Sequence, residues 1–516
     1  MINPMPTFRD ELSDLVCDDA GTRSDLSGCT QEIGGKLRPR TGPEVVRIVQ
    51  AAARHGVQLH PISCGRNWGF GSALPTSGGA WIVDLASMTR IDGYDAECGS
   101  ICIQPGVTQG MLYRSLVEQG NDWFFNLTGA GESTSVLGNA LERGVGYYGQ
   151  RQLDLVDLQV VTGTGDVVWT RLSSEEGHGF GASLGTDITQ LFCQAGMGIV
   201  ISARLRLIRR TNGGGVVIAR LKDPARAGEF FQKILALKQE GCIAGIPHIG
   251  NRERIISTMS PWLPAEHARA FADRAPSWTA ALPLLGRREM AEAAAQVIQA
   301  TLAELSDMEV MTGAESGGVV TSSRSPMEML QQLACGFPSN LALPSVQWSA
   351  LGKADVSVLD PEKTEAGLIH VTPAVRSSAP EIERILSLLQ KATQELDLAP
   401  LAMTVNVVDS LTTVLVISVP FVQGHADLAQ QKARRLQGIL RKAGVGFYRL
   451  GLVQDEGLRV SSRPARKLFT KLKRAFDPAG VFAPSKYEAL FAPPPKRASS
   501  KNSRRAPSSR LLPQVA

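Results

Sequence analysis

A chain of 516 residues, 43% hydrophobic and 20% charged, is too long for one hydrophobic core and too apolar for a disordered or fibrous protein, so two or three globular domains are expected. The net charge of +5 comes from the stretch after Pro495, where Lys496, Arg497, Lys501, Arg504, Arg505 and Arg510 stand without an acid; the body lacks the basic excess that nucleic acid attracts. The N-terminus is acidic where a secretory signal would be basic, and no apolar run approaches the ~18 residues of a membrane span, so a cytoplasmic protein without nucleic-acid or membrane partners is expected.

In chain order, Pro43–His55 carries a helical apolar period through Val45, Val46, Ile48, Val49 and Ala52. Val57–Ile62, Trp81–Leu85 and Ser100–Gln104 read as strands, and Thr108–Gln119 as a helix closed by Gly120. Leu155–Val161 and Asp166–Thr170 flank Gly163-Thr164-Gly165, a hairpin signal. Ile199–Ile208 alternates and ends at Gly213–Gly215, taken as a domain boundary. Beyond it come a strand, Val216–Leu221, and helices Ala227–Gln239 and Arg288–Leu305, separated by a less regular stretch. Strands Met403–Val408 and Thr413–Pro420 and helix Leu428–Ala443 complete an α+β unit on an antiparallel sheet. A helix over Pro464–Ala475 precedes a Pro-rich stop, and the Ser-rich basic tail reads as a disordered, solvated segment or as a nucleic-acid or partner contact.

Eight scattered cysteines without a CxxC pair, and seven histidines without HxH or HExxH spacing, give no expectation of a metal site or of disulfides. The most informative segment is Pro61-Ile62-Ser63-Cys64-Gly65-Arg66-Asn67-Trp68-Gly69-Phe70-Gly71-Ser72-Ala73-Leu74-Pro75. Its glycines permit positive φ and leave N–H groups free to face an anion, while Ser63, Arg66, Asn67 and Ser72 add polar contacts. A phosphate cradle and a flexible surface loop are the two readings; neither the P-loop nor G-x-G-x-x-G is present, which argues against ATP and an ordinary nicotinamide fold. Two further small-residue stretches follow, Gly129–Tyr147 and Gly196-Met197-Gly198-Ile199-Val200.

In this order and spacing, the three stretches resemble the flavin domain of the vanillyl-alcohol oxidase / p-cresol methylhydroxylase family, and FDPAGVFAPSKY resembles that family's C-terminal closing motif. The resemblance implies an α+β fold: a two-subdomain FAD-binding domain of p-cresol methylhydroxylase (PCMH) type beneath a cap built on an antiparallel sheet. It places the FAD domain at residues 1–215, the substrate cap at 216–440, a C-terminal return at 441–492 and the basic tail at 493–516. It implies that Pro61, Ile62, Ser63, Cys64, Gly65, Arg66 and Asn67, with Phe70 and Gly71, hold the pyrophosphate. Ser135, Gly138, Asn139, Gly144, Gly146, Tyr147, Gly198, Ile199 and Val200 would line the flavin, with Arg449 and Lys486 near its end.

The Tyr448-Arg449 pair matches the family's holder of a phenolate or other anionic oxygen. Phe70 stands where the family has a second tyrosine. The acid that the family's alkylphenol oxidases set against substrate falls on Ala130, or on Glu132 by sliding the alignment. The flavin-linking residue falls near Leu411 or Thr412, so noncovalent FAD is expected, with His370 and Cys64 the other nucleophiles. The implied activity is hydride removal from a small aromatic or phenolic substrate, electrons passing to O2 or another acceptor. Tyr448, Arg449 and Phe70 would position the substrate, and His370 or Glu132 would move protons. Dehydrogenation of a hydroxy acid or sugar, and flavin binding without turnover, are the alternatives; a homodimer is left open.

Overall fold

The computed structural model describes residues 7–171, 186–312, 326–460 and 462–491, so the basic tail lies outside the described residues. Three sheets carry the architecture. The first has the spatial order Val16–Asp18, Gly35–Leu37, Trp81–Asp84, Leu59–Ile62, with the last three strands parallel. Helix Gly42–His55 covers it with Val45, Ile48, Val49, Ala51 and Ala52. Thr41 and Glu44 close a capping box at its start, and Gly56, at φ 64°, ends it left-handed.

The second sheet is antiparallel, in the order Val167–Trp169, Leu155–Val161, Ile199–Arg206, Ser100–Ile103, Ile91–Asp95. Its hairpin pairs Val161 with Val167 around Gly165, whose φ of 87° the turn requires.

The third sheet has eight antiparallel strands: Ser306–Thr312, Gly215–Leu221, Trp278–Leu284, His248–Asn251, Ala402–Val407, Thr412–Val422, Ala366–Arg376 and Gly446–Arg449. Helices Ala227–Gln239, Arg288–Leu302, Ala379–Glu395 and Ala426–Lys442 cover one face, burying Ile249, Val405, Ile417, Ile369 and Val371 at no more than 1% exposure. The two-residue alternation of strands sends His248, Thr404, Val416 and His370 to the other face, where each keeps part of its surface accessible. That face is met by Tyr147, whose ring centroid lies 4.3 Å from that of His248, and by Phe70, 5.0 Å from His370. Helices Arg252–Met259 and Pro344–Leu351 lie against part of this face, and a hollow separates the rest of it from the first two sheets.

One boundary differs from the expected one. The strand Gly446–Arg449 pairs with Ala366–Arg376, so the chain leaves the cap sheet after Arg449, not at residue 441. It returns through helix Arg463–Phe476 to Val481–Ala483, where Leu59 N–H donates to Val481 O (2.8 Å) and Ala483 N–H to Leu59 O (2.9 Å). The closing motif works through Asp477, whose carboxylate accepts from the N–H groups of Val481 (2.7 Å) and Phe482 (3.1 Å). Among the described residues, no helix is long and apolar enough to cross a membrane.

Candidate functional site

A cleft with about 1340 Å3 of empty space runs between the first two sheets and the returning chain. One wall is the loop after strand Leu59–Ile62, in which Gly65, Gly69 and Gly71 take φ of 67°, 73° and 110°. Among the described residues, the backbone N–H groups of Cys64 to Trp68 donate to no main-chain carbonyl, leaving a row of free donors of the kind that binds phosphate oxygens. Arg66 lies along the same wall, bonded to Ser133 and 5.7 Å from the Trp68 ring. The opposite wall is the helix Val136–Leu141. Ser135 caps it, accepting from Gly138 N–H (2.9 Å) and donating to Pro105 O (2.6 Å). At Gly138 a Cβ would fall 2.7 Å from Ser63 Oγ, so the two walls approach one another only because this residue has no side chain.

Pro61, Ile62, Ser63, Cys64, Gly65, Arg66, Asn67, Phe70, Gly71, Ser135, Gly138, Asn139, Gly198, Val200 and Lys486 all line this cleft. The other expected cofactor residues do not. Ile199 points into the core under helix Gly42–His55, because strand alternation sends it and Val200 to opposite faces. Gly144 and Gly146 stand behind the wall: a Cβ at Gly144 would overlap Asn139 Oδ1, and one at Gly146 would overlap Asn126 Oδ1. Their smallness lets those asparagines pack, and Arg151 then donates to Asn139 Oδ1 (3.1 Å). Tyr147 faces the hollow under the cap. Arg449 sits at the edge between cleft and hollow. Glu132 lies elsewhere: its backbone N–H donates to Asn340 Oδ1 (2.9 Å), and its carboxylate sits in a second, more open cavity with Arg114 and Lys363. It is removed from the proton-transfer candidates.

The cleft also holds residues the motifs did not point to. Glu142 follows the helix and receives Lys486 Nζ (3.1 Å), Arg449 (3.8 Å) and the hydroxyl of Tyr487 (3.0 Å). Burial opposes its charge, but Lys486 and Arg449 outweigh burial and hold the carboxyl below its ordinary range. Burial also lowers Lys486. Arg449 Nη2 donates to Asn67 Oδ1 (2.7 Å), and its guanidinium lies 4.2 Å from the Phe70 ring. His60 lines the cleft as well, with burial and then Lys486 lowering it to about 4. No local pattern marks an acid that becomes important only when a lysine 344 positions later folds beside it.

On the open sheet face, burial raises the Tyr448 phenol to about 12 and lowers the His370 imidazole to about 3, with Arg254 adding to the latter. Tyr448 Oη, His370 Nδ1, His248 Nε2 and Asn406 Oδ1 are buried and make no hydrogen bond of good geometry, though Tyr448 lies beside Gln152 and His248 beside Asn406. Buried polar atoms of this kind are usually completed by a protein group, a water or a ligand.

Free backbone donors on one wall, a glycine contact between the walls and lysine beneath suit an anionic dinucleotide. An FAD binding domain profile matches residues 35–171. The chain is 26% identical to the 1'-carboxy-chondrochloren decarboxylase of Chondromyces crocatus, covering 90% of this chain and 92% of that protein. It is 22% identical to the 4-cresol dehydrogenase (hydroxylating) flavoprotein subunit of Pseudomonas putida, covering 86% of each. The crystal structure of p-cresol methylhydroxylase with substrate bound superimposes with a TM-score of 0.79 at 20% identity, over 93% of this chain and 95% of that one. The chain carries an FAD binding domain and has the fold of the PCMH-type flavoproteins. Its cofactor is FAD, and it is an FAD-dependent oxidoreductase. In this flavoprotein the aspartate of the C-terminal motif anchors the return of the chain, and the lysine that follows reaches the cleft from below.

Leu411 and Thr412, where the family resemblance places a flavin-linking residue, belong to the hairpin between strands Ala402–Val407 and Thr412–Val422. Leu411 is 78% exposed. Cys64 faces the cleft, but burial raises its thiol to about 11, which keeps it protonated and poorly nucleophilic.

Proposed function

We propose that this flavoprotein oxidises a small aromatic substrate held in the hollow between the open cap-sheet face and the flavin cleft, with FAD bound noncovalently. The carrying observation is the group of buried polar atoms on that face that make no hydrogen bond of good geometry, set among Val145, Ala374, Val416 and Tyr448 beside Arg449. An apolar site with a few convergent polar groups suits a flat ring bearing an oxygen.

In this reading the loop Pro61–Asn67 holds the pyrophosphate with its free N–H groups, and Lys486 and Glu142 close the flavin end. The Tyr448 hydroxyl, protonated at physiological pH, donates to the substrate oxygen, and Arg449 favours a negative charge there. Phe70 packs against the ring. His370, neutral at physiological pH, offers Nδ1 as a proton acceptor. The oxidation removes a hydride from a substrate carbon and a proton from the substrate; FAD, when bound, takes the hydride, and O2 or another two-electron acceptor restores it. The 4-cresol dehydrogenase relative acts, by its name, on an alkylphenol, which supports the aromatic class. A hydroxy-acid or sugar reading is disfavoured by the apolar residues Val145, Ala374 and Val416 around Tyr448, which suit a ring better than a row of hydroxyls.

The test is anaerobic flavin bleaching with three panels: 4-alkylphenols and their ring-substituted acids, aliphatic 2-hydroxy acids, and sugars. Bleaching by the aromatic panel alone is expected. Bleaching only by the other two, or by none, would overturn the proposal.

A further inference from the structure

The hollow contains a second guanidinium that the reading above does not use. Arg254 lies on helix Arg252–Met259, whose cap Asn251 accepts from the Arg254 N–H (3.0 Å) at the end of strand His248–Asn251. Its side chain reaches back across the open sheet face. There Nη2 donates to Ser418 Oγ at 2.8 Å and reaches Ala402 O at 3.4 Å. Ser418 is the cross-strand partner of His370, so Arg254, Ser418 and His370 share one end of this face, where helices Arg252–Met259 and Pro344–Leu351 border the hollow.

Its Nε, like that of Arg449, is buried with no partner. What sets Arg254 apart from Arg449 is its charge balance. Nothing negative compensates it: burial alone acts on the guanidinium and lowers it only to about 10, so it stays charged at neutral pH. A buried cation without an anion is costly to fold, and proteins seldom keep one unless something arrives to pair with it. Arg449, by contrast, already has Glu142 and Asn67. The hollow thus has one compensated guanidinium at its cleft edge and one uncompensated guanidinium at the far end. Phe70 and His370 stack between them.

We infer that Arg254 is the receptor for a carboxylate on the substrate, so that the preferred substrates are small aromatic acids and not uncharged phenols. This rests on the proposed aromatic oxidation and narrows it. A carboxylate fits the site because it carries one negative charge against one positive charge, and its two oxygens match a planar guanidinium whose Nε–H is still free. The Ser418 hydroxyl, which accepts from Arg254, keeps its own proton to donate to the second oxygen. The aliphatic and aromatic walls between Arg254 and Tyr448 then hold the ring.

The test compares 4-ethylphenol with 3-(4-hydroxyphenyl)propionate, which share a ring and differ in the carboxylate. Each is titrated into the FAD-loaded protein, and binding is read from the change in the flavin absorption band, independently of turnover. The wild type should bind the propionate at least about tenfold more tightly than 4-ethylphenol, the range expected of a charge-assisted pair. Arg254→Gln should abolish that preference while retaining FAD, and Arg254→Lys should restore part of it. A wild type that binds the two equally, prefers 4-ethylphenol or responds to neither overturns the inference without any variant. So does an FAD-loaded Arg254→Gln protein that keeps the preference. Loss of the aromatic reading is seen separately: the propionate would bind with the Arg254 dependence described, yet neither compound would bleach the flavin anaerobically.

Discussion

Lys486 Nζ stands 3.1 Å from Glu142 Oε2, and this contact joins the returning C-terminal segment to the end of the helix that forms one wall of the cleft. Arg449 shares the same carboxylate, so one acid balances two cations that are both nearly buried. Glu142→Gln leaves those cations unpaired, and breaking a buried pair of this kind costs on the order of 1–3 kcal/mol after discounting for its partial exposure. Calorimetry of the apoprotein should show Tm lowered by a few degrees at neutral pH. The carboxyl lies below its unfolded value, so its contribution is present above the ordinary carboxylate range and is lost as pH falls through the folded value. The Tm gap between wild type and Glu142→Gln should therefore close in acid. A gap that persists or widens there would show that the charge of Glu142 is not what stabilises the fold.

Gly138→Ala separates flavin binding from folding. Alanine is the better helix former, so the helix Val136–Leu141 loses nothing by propensity. The new Cβ meets Ser63 Oγ at 2.7 Å and Ser63 Cβ at 2.9 Å, which pushes the pyrophosphate loop away from the helix. Far-ultraviolet circular dichroism should match wild type while FAD affinity drops by about tenfold or more, measured by fluorescence on release. Unchanged FAD affinity would mean that the walls need not approach as closely as Gly138 allows.

Attachment of the flavin is read by acid precipitation. Leu411 is a solvent-exposed aliphatic side chain on a hairpin, Thr412 starts the next strand, and Cys64 is held protonated, so none of them offers a competent nucleophile. The yellow colour should stay in the supernatant. Colour in the pellet would point first to His60, which lines the cleft as a neutral imidazole, and then to Cys64.

Local signals carried the cleft further than the cap. Glycines, prolines and strand ends around Gly65 and Gly138 are neighbours in sequence, so the loop and the helix wall can be read from short windows. Strands Leu155–Val161 and Ile199–Arg206 are legible for the same reason, through alternation and a Gly-Thr-Gly turn. The cap is different. Strand Ala366–Arg376 carries Pro373 where the pairing with Gly446–Arg449 shifts register, a residue that argues against a central strand when met in isolation. Strands His248–Asn251 and Trp278–Leu284, the second also holding a proline, draw their identity from neighbours about thirty and more than a hundred residues away. Arg254 and Glu142 were invisible for a related reason: each matters for what it lacks or gains across the fold, and one sequence window shows neither.

Tyr448 gives the sharpest test of the substrate site, because structure and function predict opposite effects of one atom. Its hydroxyl is buried beside Val145, Val414 and Val416 and makes no hydrogen bond of good geometry, though Gln152 lies beside it. An unsatisfied buried hydroxyl costs stability, so Tyr448→Phe should leave Tm unchanged or raise it slightly. If the hydroxyl donates to the substrate oxygen, the same change removes a hydrogen bond to a charged or developing oxyanion. That should lower kcat/KM with an aromatic substrate by about one to two orders of magnitude, with FAD content intact. Burial raises the phenol to about 12, so Tyr448 stays protonated through the usable alkaline range and adds no limb to the wild-type pH profile below pH 10. Tyr448→Phe should therefore reduce the rate by the same factor at pH 7 and pH 9. A reduction that grows or shrinks between those values would assign the effect to a different titrating group. A drop in Tm with turnover preserved would make Tyr448 a packing residue and move the oxygen-binding role to Arg449 alone.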